Sequence, residues 1–298
     1  MSQTTIKQKM IELTSCKKPN KEEDDVNFVF ACKLLADESN PKRKMLAKSW
    51  LKVAVQNEHL EAMHLLATLH EEDSEYLDAV CLYREAARLG HACASFDLGI
   101  CYMYGTGVCV QDPYAALVWF LHAARRGHAE AQYALGFCYE FGHGTSISNS
   151  KALQWYTEAA TVKREPCAQT ALGRCFLNGL LGLSKDECMA FNFFIMAAEQ
   201  GFVTAEFAVG LCYDFGYGII HPDPTLAVAW YERAAKQNSL EACYNLGVCF
   251  KFGTGVAQNL DLAAMWFRKA ASQGDTDART QLIALKLASS GLSISITH

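Results

Sequence analysis

Leu135-Gly136-Phe137-Cys138-Tyr139 is the stretch that decides the fold. It recurs as Leu98-Gly99-Ile100-Cys101-Tyr102, Leu172-Gly173-Arg174-Cys175-Phe176, Val209-Gly210-Leu211-Cys212-Tyr213 and Leu246-Gly247-Val248-Cys249-Phe250. The five glycines are spaced at a constant 37 residues. A fixed period in this range marks a solenoid of one repeated supersecondary unit. A second phrase alternates with the first: Ala116-Trp119-Phe120-Ala123-Ala124, Ala152-Trp155-Tyr156-Ala159-Ala160, Ala190-Phe193-Phe194-Ala197-Ala198, Ala227-Trp230-Tyr231-Ala234-Ala235 and Ala263-Trp266-Phe267-Ala270-Ala271. Its i, i+3, i+4, i+7, i+8 spacing is one apolar helix face.

Each unit therefore holds two helices: helix A with the Leu-Gly phrase and helix B with the aromatic pair. Large rings in B, Trp155 and Trp230 among them, are expected in the core, opposite the alanines of B and the glycine of A. The loops after helix A read Gly105-Thr106-Gly107, Gly142-His143-Gly144, Gly216-Tyr217-Gly218 and Gly253-Thr254-Gly255. Glycine ends a helix and turns the chain. These loops follow a helix and lack a suitably placed lysine, so they do not read as phosphate cradles. Asp112-Pro113 and Asp223-Pro224 read as an N-cap with proline at the first helical position, and Ser184 with Glu187 as a capping box.

Earlier helices are expected at 26–36 and 42–56, and a last one at 276–288. The unit with helix A near 60–70 is degenerate, with Ala67 for the glycine and Glu71-Glu72-Asp73 for the loop. The Gly173 unit has its second glycine displaced to Gly182. The fold class expected is an all-α superhelix of about seven antiparallel helix pairs plus a C-terminal capping helix. Residues 1–25 read as a flexible segment, 26–288 as the solenoid (clearest in 91–275) and 289–298 as a flexible tail.

Composition narrows the function. Apolar residues make up 51% and charged residues 20%, with a net charge of −5 and no basic stripe. Nucleic acid is not an expected partner. Lys42-Arg43-Lys44 reads as a solvated helix start. No apolar run reaches the ~18 residues of a membrane span, and no signal peptide is seen, so a cytoplasmic monomer without membrane insertion is expected. Thirteen cysteines read as free thiols; the five that lie two residues after the motif glycine read as small buried groups, and Cys109, in a loop, is the expected exposed thiol. His91, His128, His143 and His221 read as solvated turn residues. Cys-x-x-Cys, His-Glu-x-x-His and Gly-x-Ser-x-Gly motifs are absent, so no enzyme, metal or cofactor is expected.

The phrase Ala129 to Gly144, followed by Lys151-Ala152-x-x-Trp155-Tyr156-x-x-Ala159-Ala160, resembles the Sel-one-like repeat, a relative of the tetratricopeptide repeat, over roughly residues 45–285. That resemblance implies a right-handed superhelix and an adaptor role; members scaffold complexes in signalling, endoplasmic-reticulum quality control, bacterial host interaction and chitin synthase regulation. It also implies that helix A lines a concave face, on which residues three before, one after and four after the glycine point inward. These are Phe96, Ile100 and Met103; Tyr133, Phe137 and Glu140; Thr170, Arg174 and Leu177; Phe207, Leu211 and Asp214; Tyr244, Val248 and Lys251. The expected function is a scaffold holding a peptide or helix of another protein there. The alternatives are β-lactam binding or hydrolysis, as in cysteine-rich bacterial relatives, a regulatory subunit of a membrane enzyme such as chitin synthase, and a self-assembling array. The disulfide of the β-lactam-related members would need cysteine where this chain has Ala86, Ala123, Ala160 and Ala197.

Overall fold

The structure is a computed structural model that describes residues 26–36 and 41–289. The flexible ends expected at 1–25 and 289–298 lie outside the described residues, residue 289 apart. Fifteen helices and no strand occur among the described residues. The chain divides into two units, one ending at Ser148 and the other beginning at Asn149.

The first unit holds α1 (Val26–Leu35), α2 (Pro41–Gln56), α3 (Leu60–Glu72), α4 (Tyr76–Arg88), α5 (Ala92–Tyr104), α6 (Pro113–Arg125) and α7 (Ala129–Phe141). The second holds α8 (Asn149–Thr161), α9 (Pro166–Asn178), α10 (Glu187–Ala198), α11 (Val203–Phe215), α12 (Pro224–Lys236), α13 (Leu240–Phe252), α14 (Leu260–Ser272) and α15 (Thr276–Ser289). Within each unit, helices consecutive in the chain pack on one another. In the second unit α9 also meets α11, a contact between successive helices A. The chain is an all-α solenoid of helix pairs.

The A–B pairs close on the motif glycine. A Cβ placed on Gly210 would stand 2.5 Å from two carbons of the Tyr231 ring, and one on Gly247 would stand 2.6 Å from the Phe267 ring. Only a glycine lets the helices approach this closely. The ring that fills the notch is the second of the aromatic pair: Phe120, Tyr231 and Phe267 are at most 1% exposed, and Phe194 is 4%. The tryptophans expected in the core are instead half-buried at its edge. There they carry cations: the Arg233 guanidinium lies 4.2 Å over Trp230, and the Lys269 ammonium 5.4 Å over Trp266. Lys269 Nζ then donates to the carbonyl of Ala235, at the end of the preceding helix B, at 2.7 Å. Such a bond satisfies a carbonyl that the helix end leaves open.

The loop glycines divide two tasks. The first ends helix A in the left-handed region, at Gly105, Gly142, Gly216 and Gly253. The second lies against the first residue of the helix B before it: a Cβ on Gly255 would stand 2.2 Å from the Pro224 carbonyl oxygen. Between them, the N-cap amide of helix B donates back to helix A, as Asp223 does to the Tyr213 carbonyl at 2.8 Å. Asp112 and Asp223 cap as expected. In the Gly173 repeat the cap is Asp186, whose carboxylate accepts from the Met189 amide, and not Ser184. The shifted Gly182 meets nothing within 4 Å, so this loop lacks its lock on the preceding helix.

The degenerate first repeat is fastened by charge. Lys44 and Lys48 of α2 pair with Glu72, Asp73 and Glu75 around the α3–α4 turn. Lys44 is therefore an ion-pair partner and not a merely solvated residue. The twelve cysteines among the described residues are free. The five motif cysteines are buried, and burial pushes the thiols of Cys101 and Cys212 up to about 12. Such thiols stay protonated and inert.

These burials rank the aromatic pair. Tyr231→Ala is expected to destabilise the fold by about 3–5 kcal/mol. Trp230→Ala, at the edge, is expected to lose distinctly less; chemical denaturation of the two variants side by side checks the order.

Candidate partner-binding surface

The histidines before helices A are structural caps. Nδ1 of His59, His91 and His128 accepts from the amides of Ala62, Ala94 and Ala131 at 3.1, 3.1 and 3.2 Å. Burial, with the neighbouring His64, pushes His91 down to about 4, which keeps the ring neutral and able to accept. His91 and His128 are thus half-buried caps and not the solvated turn residues expected. The sequence reading also missed His64 and Asp97, a buried pair 2.6 Å apart. The bond links α3 to α5 inside the repeat interface.

The proposed face divides by what each residue touches. Phe96 packs on the core ring Phe120 and stacks on the cap His128, with centroids 5.6 and 4.9 Å away. Phe207 and Tyr244 lean on Tyr231 and Phe267 in the same way. Ile100, Met103, Tyr133, Glu140 and Arg174 are half-buried. Lys251 is half-buried and donates to Gln281. Phe137 is exposed and stacks on His143 in the Gly142–Gly144 loop.

Asp214 has a structural partner. It accepts from the buried Tyr231 hydroxyl at 3.1 Å, as Glu71 does from Tyr83 at 3.0 Å. A buried hydroxyl without a partner is costly. The sequence carries this signal: the acids four after the motif position, Glu71, Glu140 and Asp214, precede the tyrosines Tyr83, Tyr156 and Tyr231. Met103, Leu177 and Lys251 stand there where the ring is Phe120, Phe194 or Phe267.

Two features survive as surface. One is a cleft of about 610 Å³ in the second unit, which gathers the expected residues Phe207, Leu211, Asp214, Tyr244 and Val248. The other is a set of rings five after the glycine, a position the sequence reading passed over. Tyr104 and Phe141 in the first unit are 72% and 48% exposed, and Phe215 and Phe252 in the second 61% and 66%. Lone exposed apolar residues are ordinary, whereas recurrence at one repeat position is not.

His70, Glu75 and Asp78 bring ligand atoms within 4.8 Å of one another. His70 bonds Glu75, and the Lys48 ammonium lies 3.1 Å from the same carboxylate. No helix among the described residues is long and apolar enough to cross a membrane.

The model of the Sel1 repeat matches residues 94–128, 129–161, 168–202, 203–239 and 240–275, more than half of the chain. The chain belongs to the Sel1 repeat family. Among solved structures, a protective antigen of uropathogenic Escherichia coli with an SLR fold is similar at 27% identity and a TM-score of 0.70. That match covers 84% of this chain and 53% of the antigen, so this chain spans about half the antigen's length. A Sel1 repeat protein from Oxalobacter formigenes matches at 27% identity and a TM-score of 0.69, over 74% of this chain and 89% of its own.

The Tyr231–Asp214 bond can be isolated from this Sel1 array. Asp214→Leu is expected to destabilise by about 1–3 kcal/mol by removing the acceptor of the hydroxyl proton, while Asn245 still bonds the phenol oxygen. Adding Tyr231→Phe is expected to recover most of that loss; a thermal or urea double-mutant cycle measures it.

Proposed function

We propose that this chain is a non-catalytic scaffold that binds a peptide or helix of another protein on the helix-A face of its Sel1 repeats. The observation that carries this reading is the recurrent exposed aromatic at the end of helix A, beside half-buried apolar residues one turn back. Helix A gives its small residues and cysteine to the core, leans the ring three before the glycine on that core, and leaves the ring five after the glycine largely to solvent. Aromatic anchors with few rotatable bonds lose little freedom on binding and dominate interface energetics. Repeat arrays of this kind generally serve as protein-interaction scaffolds. In this reading the protein acts as a cytoplasmic monomer and its partners are proteins.

A pull-down or proximity-labelling survey with Phe137→Glu and Phe215→Glu tests the proposal, since both side chains are exposed. The expected outcome is an unchanged melting curve with loss of one set of partners. An unchanged partner set in both variants, with loss only on substitution of exposed helix-B residues such as Arg268, would contradict it.

A further inference from the structure

We infer that the cleft between α11, α13 and the start of α15 takes a cation-bearing segment of a partner protein, an arginine or lysine flanked by an apolar side chain. This rests on the protein-binding reading above and names the chemistry of the partner.

The argument begins with charge. Four carboxylates line the cleft, those of Asp214, Glu241, Asp275 and Asp277, and no lysine or arginine lines it. None of the four has an ion-pair partner among the described residues. Their hydrogen bonds are light. Asp214 Oδ2 accepts from Tyr231, Asp275 Oδ1 from the Ala278 amide at 2.9 Å, and Glu241 Oε2 from Ser239 at 3.1 Å. Each carboxylate keeps a second oxygen. Elsewhere the chain pairs its crowded acids, as Lys44 and Lys48 do around the α3–α4 turn. Here Glu241 and Asp277 lie in the first turns of α13 and α15 and Asp275 caps α15, so helix N-termini offset part of the charge, but no Lys or Arg answers it, and the remainder attracts a cation and repels an anion.

The lining then narrows the ligand to a peptide. Phe207, Leu211 and Val248 give the cleft an apolar floor, which a bare cation would leave unfilled. Phe215, 61% exposed, stands at its edge beside Asp214. A cation over an aromatic face within about 6 Å is attracted by the ring. This chain does so itself one repeat later, where the Lys251 ammonium lies 5.0 Å over Phe252, the equivalent of Phe215. The cleft thus presents a 61% exposed ring stacked against Tyr217, with carboxylates and apolar side chains in the same lining, a combination matched by a guanidinium or ammonium next to an aliphatic or aromatic side chain.

The test exposes the full-length chain to an array of random dodecapeptides at low and at high salt. A Glu241→Lys, Asp277→Lys double variant reverses the rim, a Glu241→Gln, Asp277→Asn variant serves if the first folds poorly, and Arg268→Gln, on the exposed side of α14, is the control. The expected result is selection of peptides that pair Arg or Lys with an apolar neighbour. Their binding should weaken with salt, fall at least tenfold in the reversed variant and persist in the control. Selection of acidic or uncharged peptides, lost on Phe207→Ala, would overturn the inference and leave the protein-binding reading standing. Peptides whose binding ignores every helix-A substitution would overturn both. An array that selects nothing, peptides that need a cation but no apolar neighbour, or a dimer of this chain dissolved by the reversed rim would each overturn the inference alone.

Discussion

The contact on which the rest depends is a ring pressed onto a glycine. In the repeats of Gly99, Gly173, Gly210 and Gly247 the helix-B ring reaches the place a methyl group would need. That approach brings two backbones together, and the residues around it follow. The alanines flanking each ring, the half-buried Ala271 apart, are fully or nearly buried, because a larger side chain would hold the helices apart. The cysteine two after the glycine fills the adjoining space as a small apolar group. When the ring is tyrosine its hydroxyl emerges at the far side, and an acid of helix A meets it. Dense packing of this kind leaves little room for a change of even one methylene.

The same contact sets what helix A can offer to others. One face of the helix is spent on the ring, and residues three before the glycine lean on that ring from outside. The expected groove residues are therefore half structural, and Asp214 serves core and cleft together. The residue five after the glycine has turned away from the core altogether. The rings at that position touch only neighbouring surface side chains, Phe141 on Phe137, Phe215 on Tyr217 and Phe252 under Lys251, which makes them the better markers of a binding surface.

The sequence made much of this legible. The period, the pairing of helices, the aspartate caps, the left-handed glycines and the buried cysteines are all local or periodic, and each appears where its chemistry requires. What could not be read was which of two adjacent rings faces inward. Trp230 and Tyr231 both fit the apolar spacing of helix B, and only the position of Gly210 on the neighbouring helix separates them. The Asp186 cap was misplaced because both Ser184 and Asp186 are competent, and the lengthened loop around Gly182 decides between them. Histidine caps were missed because histidine is not among the usual N-cap residues, and at His91 burial, a tertiary property, keeps the ring neutral. The second loop glycine was read as a turn former, yet at Gly255 its sharper constraint is the Pro224 carbonyl pressed against it.

The most direct measurement of the central claim is a denaturation cycle on Gly247→Ala, Phe267→Leu and the double variant. If the glycine exists to admit the ring, Gly247→Ala alone is strongly destabilising, and the added methyl does little further harm once the ring has been trimmed to leucine. Losses that simply add would show that the two residues act independently, and would contradict the account.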